Sequence, residues 1–327
     1  YLKRFVTSGL SIIFISHKLG EVLDACSRVT ILRGGKLVAD RDVAGVTRAE
    51  LAELMVGRPI PEAKSEPRVP GAAVLRLRGL SAARGLLSLR DVDLEIRQGE
   101  VVGIAGVAGN GQSLLADVIS GMQQPSHGTL ELNGDTLQTV TPRAMVANGV
   151  ARIPEDRHAE GLIGDMTITE NVVSETYRSP ALSRFGLIDW RKARTRAEDI
   201  IGAYEVKCPS PDVPVRLLSG GNMQKLILGR VMVERPKLVL ANQPTRGLDV
   251  GAVSYVHARL LEARSKGAAI LLLSEDLDEL LSLSDRIAVI YRGRLSPLRD
   301  RKGTTIADLG LLMAGHGFAG GEDSHAA

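Results

Sequence analysis

Along most of this chain, short and almost entirely apolar runs alternate with longer segments that mix apolar and polar positions. Three of these runs occupy residues 101–106, 238–240 and 268–273. Such runs are typical of strands that are covered on both faces, as in a parallel sheet. The mixed segments between them predict crossover helices. We therefore expect an α/β fold in which helices cover both faces of a parallel sheet.

Other segments carry their own signals of regular structure. Residues 11–15 read S-I-I-F-I, which predicts a short buried strand, and residues 29–32 predict a second strand. Residues 189–206 predict a helix with a polar face. Residues 216–234 predict a turn followed by another helix, which Pro236 would end.

The chain contains an internal repeat with a constant offset. Residues 16–37 reappear as residues 274–295, with serine, leucine, glutamate, arginine and glycine at matching places in the two copies. A repeat of this length indicates two related domains in tandem. Because the first copy begins only at Ser16, we expect the first domain to be truncated and the chain, which opens at Tyr1, to be part of a longer reading frame.

These features predict four segments. Residues 1–57 would be the C-terminal remnant of the first domain, and a proline-bearing linker would follow over 58–73. Residues 74–300 would form the second domain, with a helical subdomain over about 165–235. Residues 301–327 would be a tail whose end, rich in glycine and alanine, is poorly ordered.

The composition excludes several classes of partner. The net charge is only +3, so neither nucleic acid nor anionic lipid is indicated. Aromatic residues make up 3% of the chain, too few for platforms that stack bases. Cys26 and Cys208 lie far apart without metal or redox spacing, which suits a reducing cytosol. No apolar run approaches the roughly 20 residues of a membrane-spanning helix, so we expect a soluble chain.

A glycine-rich turn follows the first apolar run. Residues 106–113 read G-V-A-G-N-G-Q-S, the frame of a phosphate-binding loop in which Gln112 stands where lysine is usual. The glycines would let backbone N–H groups close around phosphate oxygens at a helix start. Ser113 would offer its hydroxyl to Mg²⁺. Taken alone, this motif leaves open a strand-to-helix turn without any ligand. The glycines concerned are Gly106, Gly109 and Gly111.

A second glycine turn, L-S-G-G-N-M-Q-K, occupies residues 218–225. Ser219 is a residue type that favours the N-cap, and Gly220 and Gly221 leave backbone N–H groups bare at the start of a predicted helix. Alone, such a turn is usually only a cap. Here it precedes the apolar run at 238–240 and the sequence A-N-Q-P-T-R-G-L-D at 241–249.

This ordered series closely resembles the motifs of an ABC transporter ATPase, over residues 1–57 and 74–295. The matching parts are the phosphate loop, an LSGGQ-like signature at 218–225, the Walker B strand and D-loop up to 249, and the switch-histidine position at 275. More narrowly, the chain resembles the tandem-domain ATP-binding subunits of monosaccharide and nucleoside importers, and most of all the nucleoside branch. The resemblance implies a P-loop NTPase fold, a RecA-like parallel sheet with a helical subdomain, plus the truncated remnant of a second copy.

Several positions of the second domain depart from the ABC pattern. Gln112 replaces the phosphate-loop lysine, Asn242 the Walker B aspartate and Gln243 the glutamate that would activate water. These amides remove a cation from the phosphates, a carboxylate from Mg²⁺ and a base from the water. Glu275 puts an anion where the γ-phosphate needs a donor, and Glu155 occupies the glutamine-loop position. We therefore expect this site not to hydrolyse ATP, although its glycine amides remain able to hold it.

The signature, by contrast, is intact. In ABC dimers each ATP lies between the phosphate loop of one domain and the signature of the other, so the resemblance implies that this signature completes the site of the first domain. His17 would be the retained switch histidine of that first domain, and Asp249 the matching D-loop residue. One active and one inactive site are expected, and this chain alone should be catalytically silent. The implied signature residues are Ser219, Gly220, Gly221 and Gln224.

The resemblance also implies a biological role. The whole protein would be the ATP-binding subunit of an importer for simple sugars or nucleosides, an ABC-type ATPase that uses ATP and Mg²⁺. Its partners would be membrane-spanning permease subunits and a periplasmic or extracellular substrate-binding protein, with no nucleic acid, at the cytoplasmic face of the cell membrane. Two alternatives stay open: a soluble tandem ABC protein that acts on ribosomes, which the short linker disfavours, and a non-catalytic pseudo-ATPase scaffold.

Overall fold

A computed structural model of the chain describes residues 2–16, 18–57, 65 and 68–318. These residues form two compact units. One unit holds the described residues up to position 57 together with 247–255. The other holds the described residues from 65 to 246 and from 256 to 318.

The first unit is built from a β-hairpin and short helices. Strand β1 (Arg28–Arg33) pairs antiparallel with β2 (Lys36–Asp42), which confirms the strand predicted at 29–32. The helices are α1 (Leu2–Thr7), α2 (Leu19–Ala25) and α3 (Arg48–Val56). A small core forms where α2 and α3 cover the hairpin, and its buried members are Leu19, Ile31, Ala39, Leu51 and Ala52.

The strand predicted at residues 11–15 is wrong. These residues have no regular structure, and Ile13 and Ile15 are each 94% exposed. A strand is stable only where neighbouring strands satisfy its backbone N–H and C=O groups. No strand among the described residues pairs with this segment, so its β-branched composition is not sufficient to make it one.

The second unit contains two larger sheets. Their strands are β3 (Ala73–Arg84), β4 (Leu87–Arg97), β5 (Val101–Ala105), β6 (His127–Leu132), β7 (Asp135–Thr136), β8 (Val150–Ile153), β11 (Leu238–Asn242), β12 (Ala269–Ser274), β13 (Arg286–Tyr291), β14 (Arg294–Leu295) and β15 (Arg299–Asp300). A separate two-stranded ribbon is formed by β9 (Ser183–Arg184) and β10 (Leu187–Ile188).

The helices of this unit lie between the strands in sequence. They are α4 (Gln112–Ile119), α5 (Pro142–Ala147), α6 (Ile168–Val173), α7 (Trp190–Ala203), α8 (Gly220–Met232), α9 (Val250–Ser265), α10 (Leu277–Leu283) and α11 (Ile306–Met313), with a π-helical turn at Arg157–Gly161 and a 3₁₀ turn at Val215–Leu217. Residues of α9 up to Tyr255 belong to the first unit. Helices α7 and α8 confirm the helices predicted at 189–206 and 216–234.

The central sheet is parallel, as the apolar runs predict. Its strands follow the order β13-β5-β12-β11-β8 with parallel pairing throughout, and β14 and β15 add antiparallel edges to β13. Every residue of β5, β11 and β12 is buried. Helix α4 packs its leucines into the same core, on which the antiparallel sheet β4-β3-β6-β7 also closes. The carboxyl ends of β5, β11 and β12 therefore lie side by side, where ligand sites of parallel sheets are found.

Among the described residues, no helix is both long enough and apolar enough to cross a membrane. Most of the predicted linker at 58–73 and the end of the predicted tail, from 319 on, lie outside the described residues.

Candidate nucleotide-binding site

The predicted phosphate loop connects β5 to α4. Gly109 and Gly111 have φ values of 87° and 117°, in the left-handed region that favours glycine. At Gly106 a Cβ atom would lie only 2.8 Å from Ile290 Cγ2 and 2.9 Å from Ile290 O, so a larger residue does not fit. The first turn of α4 has no internal acceptor for its N–H groups. The loop thus presents backbone donors at the carboxyl end of β5.

Gln112 is turned back into this loop. Its side chain is 8% exposed, and its Nε2 donates to the carbonyl oxygen of Val107 at 3.0 Å. One N–H group of the Gln112 amide is therefore used within the loop, and the side chain brings no positive charge to the loop. Ser113, the next residue of α4, is half-buried.

The end of β11 brings two of the predicted degenerate positions together. Asn242 is the last residue of the strand and is 2% exposed. Gln243 follows at a φ of 47°, which is costly for a residue with a Cβ atom. Its backbone N–H donates to Leu273 O at 2.8 Å, and its Oε1 accepts a hydrogen bond from the backbone N–H of Glu275 at 3.3 Å. The side chain of Gln243 is thus a neutral amide held at the carboxyl end of β11.

The side chains around the loop suit phosphate groups better than a divalent cation. No group of three or more His, Cys, Asp or Glu residues in the described part of the chain is arranged as a metal site. The side chains of Ser113 and Asn242, which the sequence predicts at this site, carry neutral oxygens, whereas Mg²⁺ prefers carboxylates and phosphate oxygens. The backbone donors of residues 106–113 therefore fit a nucleotide, and Ser113 would hold Mg²⁺ only weakly.

The predicted signature lies at the start of α8. Ser219 stands at the N-cap position, but its side chain accepts no bond from a helix N–H. Its Oγ instead accepts from Nδ2 of Asn222 at 2.9 Å. The Ser219 hydroxyl thus binds a side chain of the helix instead of a backbone N–H group. Gly220 and Gly221 form the bare first turn of α8, and Gln224 is 3% exposed, with its Nε2 donating to Pro244 O at 2.8 Å.

Glu155, at the glutamine-loop position, is engaged in an ion pair. It follows β8, and its carboxylate is bound by the guanidinium of Arg246. Arg157, two residues further on, donates to the carbonyl oxygen of Arg246. Burial lowers the pKa of Arg157 from its usual value. The pair of contacts ties the segment after β8 to the segment after β11.

The sequence assigns no function to His257, and the charge of Glu279 predicts a place on a solvated helix face. The second prediction is wrong, because Glu279 is 4% exposed. Its carboxylate accepts hydrogen bonds from Ser274 Oγ at 2.6 Å, Thr245 Oγ1 at 2.8 Å and His257 Nε2 at 2.8 Å. One signal could have revealed it: Glu279 precedes the buried Leu283 by four positions and therefore shares its helix face.

The remaining predicted residues are Asp249 and His17. Asp249 lies in the first unit, where its Oδ1 accepts from the backbone N–H of Ala252 at 2.9 Å and so caps the start of α9. His17, the predicted switch histidine, lies outside the described residues.

The chain is similar to known proteins over most of its length. Residues 89–246 match the ABC transporter family model. The guanosine import ATP-binding protein NupO of Bacillus subtilis is 45% identical over 96% of this chain and 62% of its own length. The nucleoside import ATP-binding protein NupA of Lactococcus lactis is 39% identical over 96% and 63%, respectively. A ribose import ATP-binding protein of Rubrobacter xylanophilus is 38% identical over 88% and 55%. The chain thus spans about three fifths of the length of these relatives.

Solved structures define the fold. A nucleotide-free ATP-binding cassette from an ABC transporter superposes with a TM-score of 0.58 at 22% identity, over 70% of this chain and 92% of that one. An ATP-binding subunit of an ABC transporter gives 0.59 at 22% identity, over 73% and 99%. The second unit therefore has the P-loop NTPase fold of an ATP-binding cassette. Residues 89–246 of the chain belong to the ABC transporter family, and the chain is similar to nucleoside and sugar import ATP-binding proteins. The truncated remnant of a second cassette stays a prediction.

Proposed function

We propose that this chain is part of the ATP-binding subunit of an ABC importer for nucleosides or simple sugars. The names of its relatives, guanosine, nucleoside and ribose import ATP-binding proteins, support this role. The observation that carries the finer proposal is a contrast within the second unit. In its signature turn, α8 begins with glycines and has no side-chain cap. In its phosphate loop, by contrast, the side chain of Gln112 donates a hydrogen bond to Val107 O.

At the phosphate loop, the residues present would bind a nucleotide but would not activate water to attack it. The backbone N–H groups of residues 106–113 would hold phosphate oxygens, and the neutral amide of Gln112 would contribute less than a cation because hydrogen bonds between charged groups are the stronger ones. Gln243 cannot accept a proton from water. Glu275 would repel the transferring group. When bound, ATP supplies a phosphoryl group for transfer to water, but these side chains do not stabilise that transfer.

At the start of α8, the signature would act on a different nucleotide. We infer that Gly220 and Gly221 complete the site of the first domain, with Ser219 beside them and Gln224 holding the helix in place. His17 would be the switch histidine of that first domain and Asp249 its D-loop counterpart. Closure of the two domains on ATP, and opening after hydrolysis, would then drive the partner subunits.

These partners are part of the same proposal. They would be membrane-spanning permease subunits and a periplasmic or extracellular substrate-binding protein, with the ATP-binding subunit at the cytoplasmic face of the membrane and Mg²⁺ as the metal. The second candidate is a pseudo-ATPase scaffold. It is favoured by the amides Gln112, Asn242 and Gln243, and it would require that the first domain be inactive as well.

A single experiment separates these functions. ATP hydrolysis and substrate uptake are measured for the complete subunit with its permease, and for the Gly220→Asp variant, which places a carboxylate where phosphate is expected. Gly202→Asp is the matched control, because Gly202 is exposed on α7 with no atom near its would-be Cβ. We expect at least about a hundredfold loss of hydrolysis for Gly220→Asp, on the scale of losing one group that stabilises the transition state, and no loss for Gly202→Asp.

The other outcomes are equally decisive. Equal turnover by the Gly220→Asp variant and the wild type would show that this signature serves no active site. A complete wild-type subunit without hydrolysis would favour the scaffold. Turnover by residues 74–300 alone would contradict the proposed inactivity of the second phosphate site.

A further inference from the structure

The turn at residues 243–246 is a junction within the second unit. It is closed by a hydrogen bond from the backbone N–H of Arg246 to Gln243 O at 3.1 Å. Each of its four residues is bound by a different residue of the same unit. The four pairs are Gln243 with Glu275, Pro244 with Gln224, Thr245 with Glu279 and Arg246 with Glu155.

Glu279 is the most deeply buried charged group of this junction. Its two oxygens accept from three side chains, and these come from the turn (Thr245), the end of β12 (Ser274) and helix α9 (His257). A carboxylate only accepts hydrogen bonds, so His257 donates to Glu279 in the tautomer that carries its proton on Nε2.

Such an arrangement fixes geometry more than it adds stability. Burying a carboxylate is costly unless hydrogen bonds replace its hydration, and here three donors do so. Each donor can satisfy Glu279 only from a narrow range of distances and directions. The carboxylate therefore fixes Thr245 relative to Ser274, the residue directly before Glu275.

The turn is in direct contact with α8. Gln224, one turn into that helix, donates to Pro244 O at 2.8 Å, and both residues are buried. A second link runs through Arg157, which donates to the carbonyl oxygen of Arg246. Nη1 of the same guanidinium lies 3.8 Å from the place that a Cβ atom would take on Gly220. Two residues of the turn are thus linked to α8: Pro244 through Gln224, and Arg246 through Arg157, which lies near Gly220.

We propose that Glu279 is a positioning residue for the signature: it fixes the 243–246 turn, and the turn fixes the start of α8. The importance of this link for catalysis rests on the proposed function, in which the signature completes the site of the first domain. The link explains why a buried, fully bonded carboxylate lies beside a phosphate site whose own catalytic positions carry amides. Its role is to hold Gly220 and Gly221 in place for the other site.

Hydrogen–deuterium exchange of the full chain, resolved by peptide, tests the link without any need for activity. Glu279→Gln keeps the volume and removes the charge. Thr245→Val removes one donor at nearly constant shape, and Thr245→Ser keeps that donor. Glu262→Gln is the matched control, because this carboxylate on α9 pairs with Lys266 and Arg259 instead. The readout is the exchange rate of residues 218–226 relative to that of β12.

We expect Glu279→Gln and Thr245→Val to raise this relative rate about two- to tenfold, the effect of losing one or two buried hydrogen bonds. Thr245→Ser should restore it, and Glu262→Gln should leave it unchanged. A purely structural role would accelerate β12 and residues 218–226 alike, and that result would overturn the proposal. If Glu279→Gln does not fold, the pair Thr245→Val and Thr245→Ser decides the outcome alone.

Steady-state hydrolysis by the complete subunit separates this inference from the proposed function. A positioning role predicts that Thr245→Val lowers kcat several-fold while KM stays within about twofold, because the signature acts on bound nucleotide. An effect on exchange in a subunit whose wild type does not hydrolyse ATP would refute the proposed function and leave the positioning link standing. An active wild type with unchanged exchange and unchanged kcat in both Glu279→Gln and Thr245→Val would refute the link alone.

Discussion

The side-chain Nε2 of Gln112 donates to the carbonyl oxygen of Val107 at 3.0 Å, across the loop whose sequence predicts phosphate binding. A lysine at this position would carry a cation to the phosphates. The glutamine instead donates a hydrogen bond to a backbone carbonyl of the loop itself. The loop therefore keeps its shape without the charge, and this has a measurable consequence for nucleotide affinity.

Restoring the cation should strengthen ATP binding. We expect Gln112→Lys to lower the Kd of this chain for ATP about five- to tenfold, because a charged hydrogen bond contributes about 1 kcal/mol more than a neutral one. Isothermal titration calorimetry measures the change. Gln138→Lys, at an exposed position, makes the same change of net charge and should leave the Kd within about twofold. Equal gains from both variants would show that only the overall charge matters.

The loop should not tolerate a side chain at Gly106. A Cβ atom there would lie within 3 Å of Ile290, so we expect Gly106→Ala to lower the free energy of unfolding by about 1–3 kcal/mol and to weaken ATP binding. Gly202→Ala, where no atom lies near and α7 is exposed, should instead raise it by about 0.5–1 kcal/mol. Urea unfolding measures both. A neutral Gly106→Ala variant would mean that the loop is looser than its packing indicates.

The ion pair between the buried Arg264 and the half-buried Asp285 offers a test of charge burial. Nη2 of Arg264 lies 2.7 Å from Oδ1 of Asp285, and Oδ2 of Asp285 accepts from the backbone N–H of Val101 at 2.9 Å. Arg264→Met would leave the carboxylate without its cation, and we expect a loss of about 3 kcal/mol in the free energy of unfolding at pH 7. The same change at the exposed Arg143 should cost under about 0.5 kcal/mol.

The loss in the free energy of unfolding that Arg264→Met causes should depend on pH. Burial raises the pKa of Asp285 above its usual value, and this outweighs the lowering by the Val101 N–H and by Arg264. A carboxyl whose folded pKa is raised stabilises the fold fully below its unfolded pKa and loses that contribution as the pH rises through the folded pKa. The deficit of Arg264→Met should therefore shrink as the solution is acidified towards about pH 4. A deficit that is constant with pH would contradict this account.

Asp156 should contribute to stability with the opposite pH dependence. Its carboxylate accepts from the backbone N–H groups of Ala159 and His158, which lowers the pKa of Asp156. Its contribution to stability is present above the unfolded pKa and is lost as the pH falls through the folded one. Asp156→Asn should therefore lose less stability than the wild type between about pH 5 and pH 3. Parallel pH profiles from urea unfolding would disprove the assignment.

Much of the fold could be predicted from local pattern alone. The apolar runs at 101–106, 238–240 and 268–273 correspond to β5, β11 and β12, because a strand covered on both faces needs apolar side chains on both. The glycines of the phosphate loop could also be found, since Gly109 and Gly111 adopt conformations that few other residues take. The order of the motifs along the chain was sufficient to predict its resemblance to the ABC transporter family.

Other features were decided only by tertiary structure. Residues 11–15 have the composition of a strand, yet they pair with no strand among the described residues, because pairing depends on neighbours and not on composition. Glu279 has the sequence context of a surface residue, but it is buried and its carboxylate accepts hydrogen bonds from three side chains. Thr245, one of those donors, is 34 positions away in the chain. Apolar periodicity is a local property that a sequence displays directly. The partner of a polar side chain is not local, since it depends on which distant segments the sheet brings together, and so only the folded chain determines it.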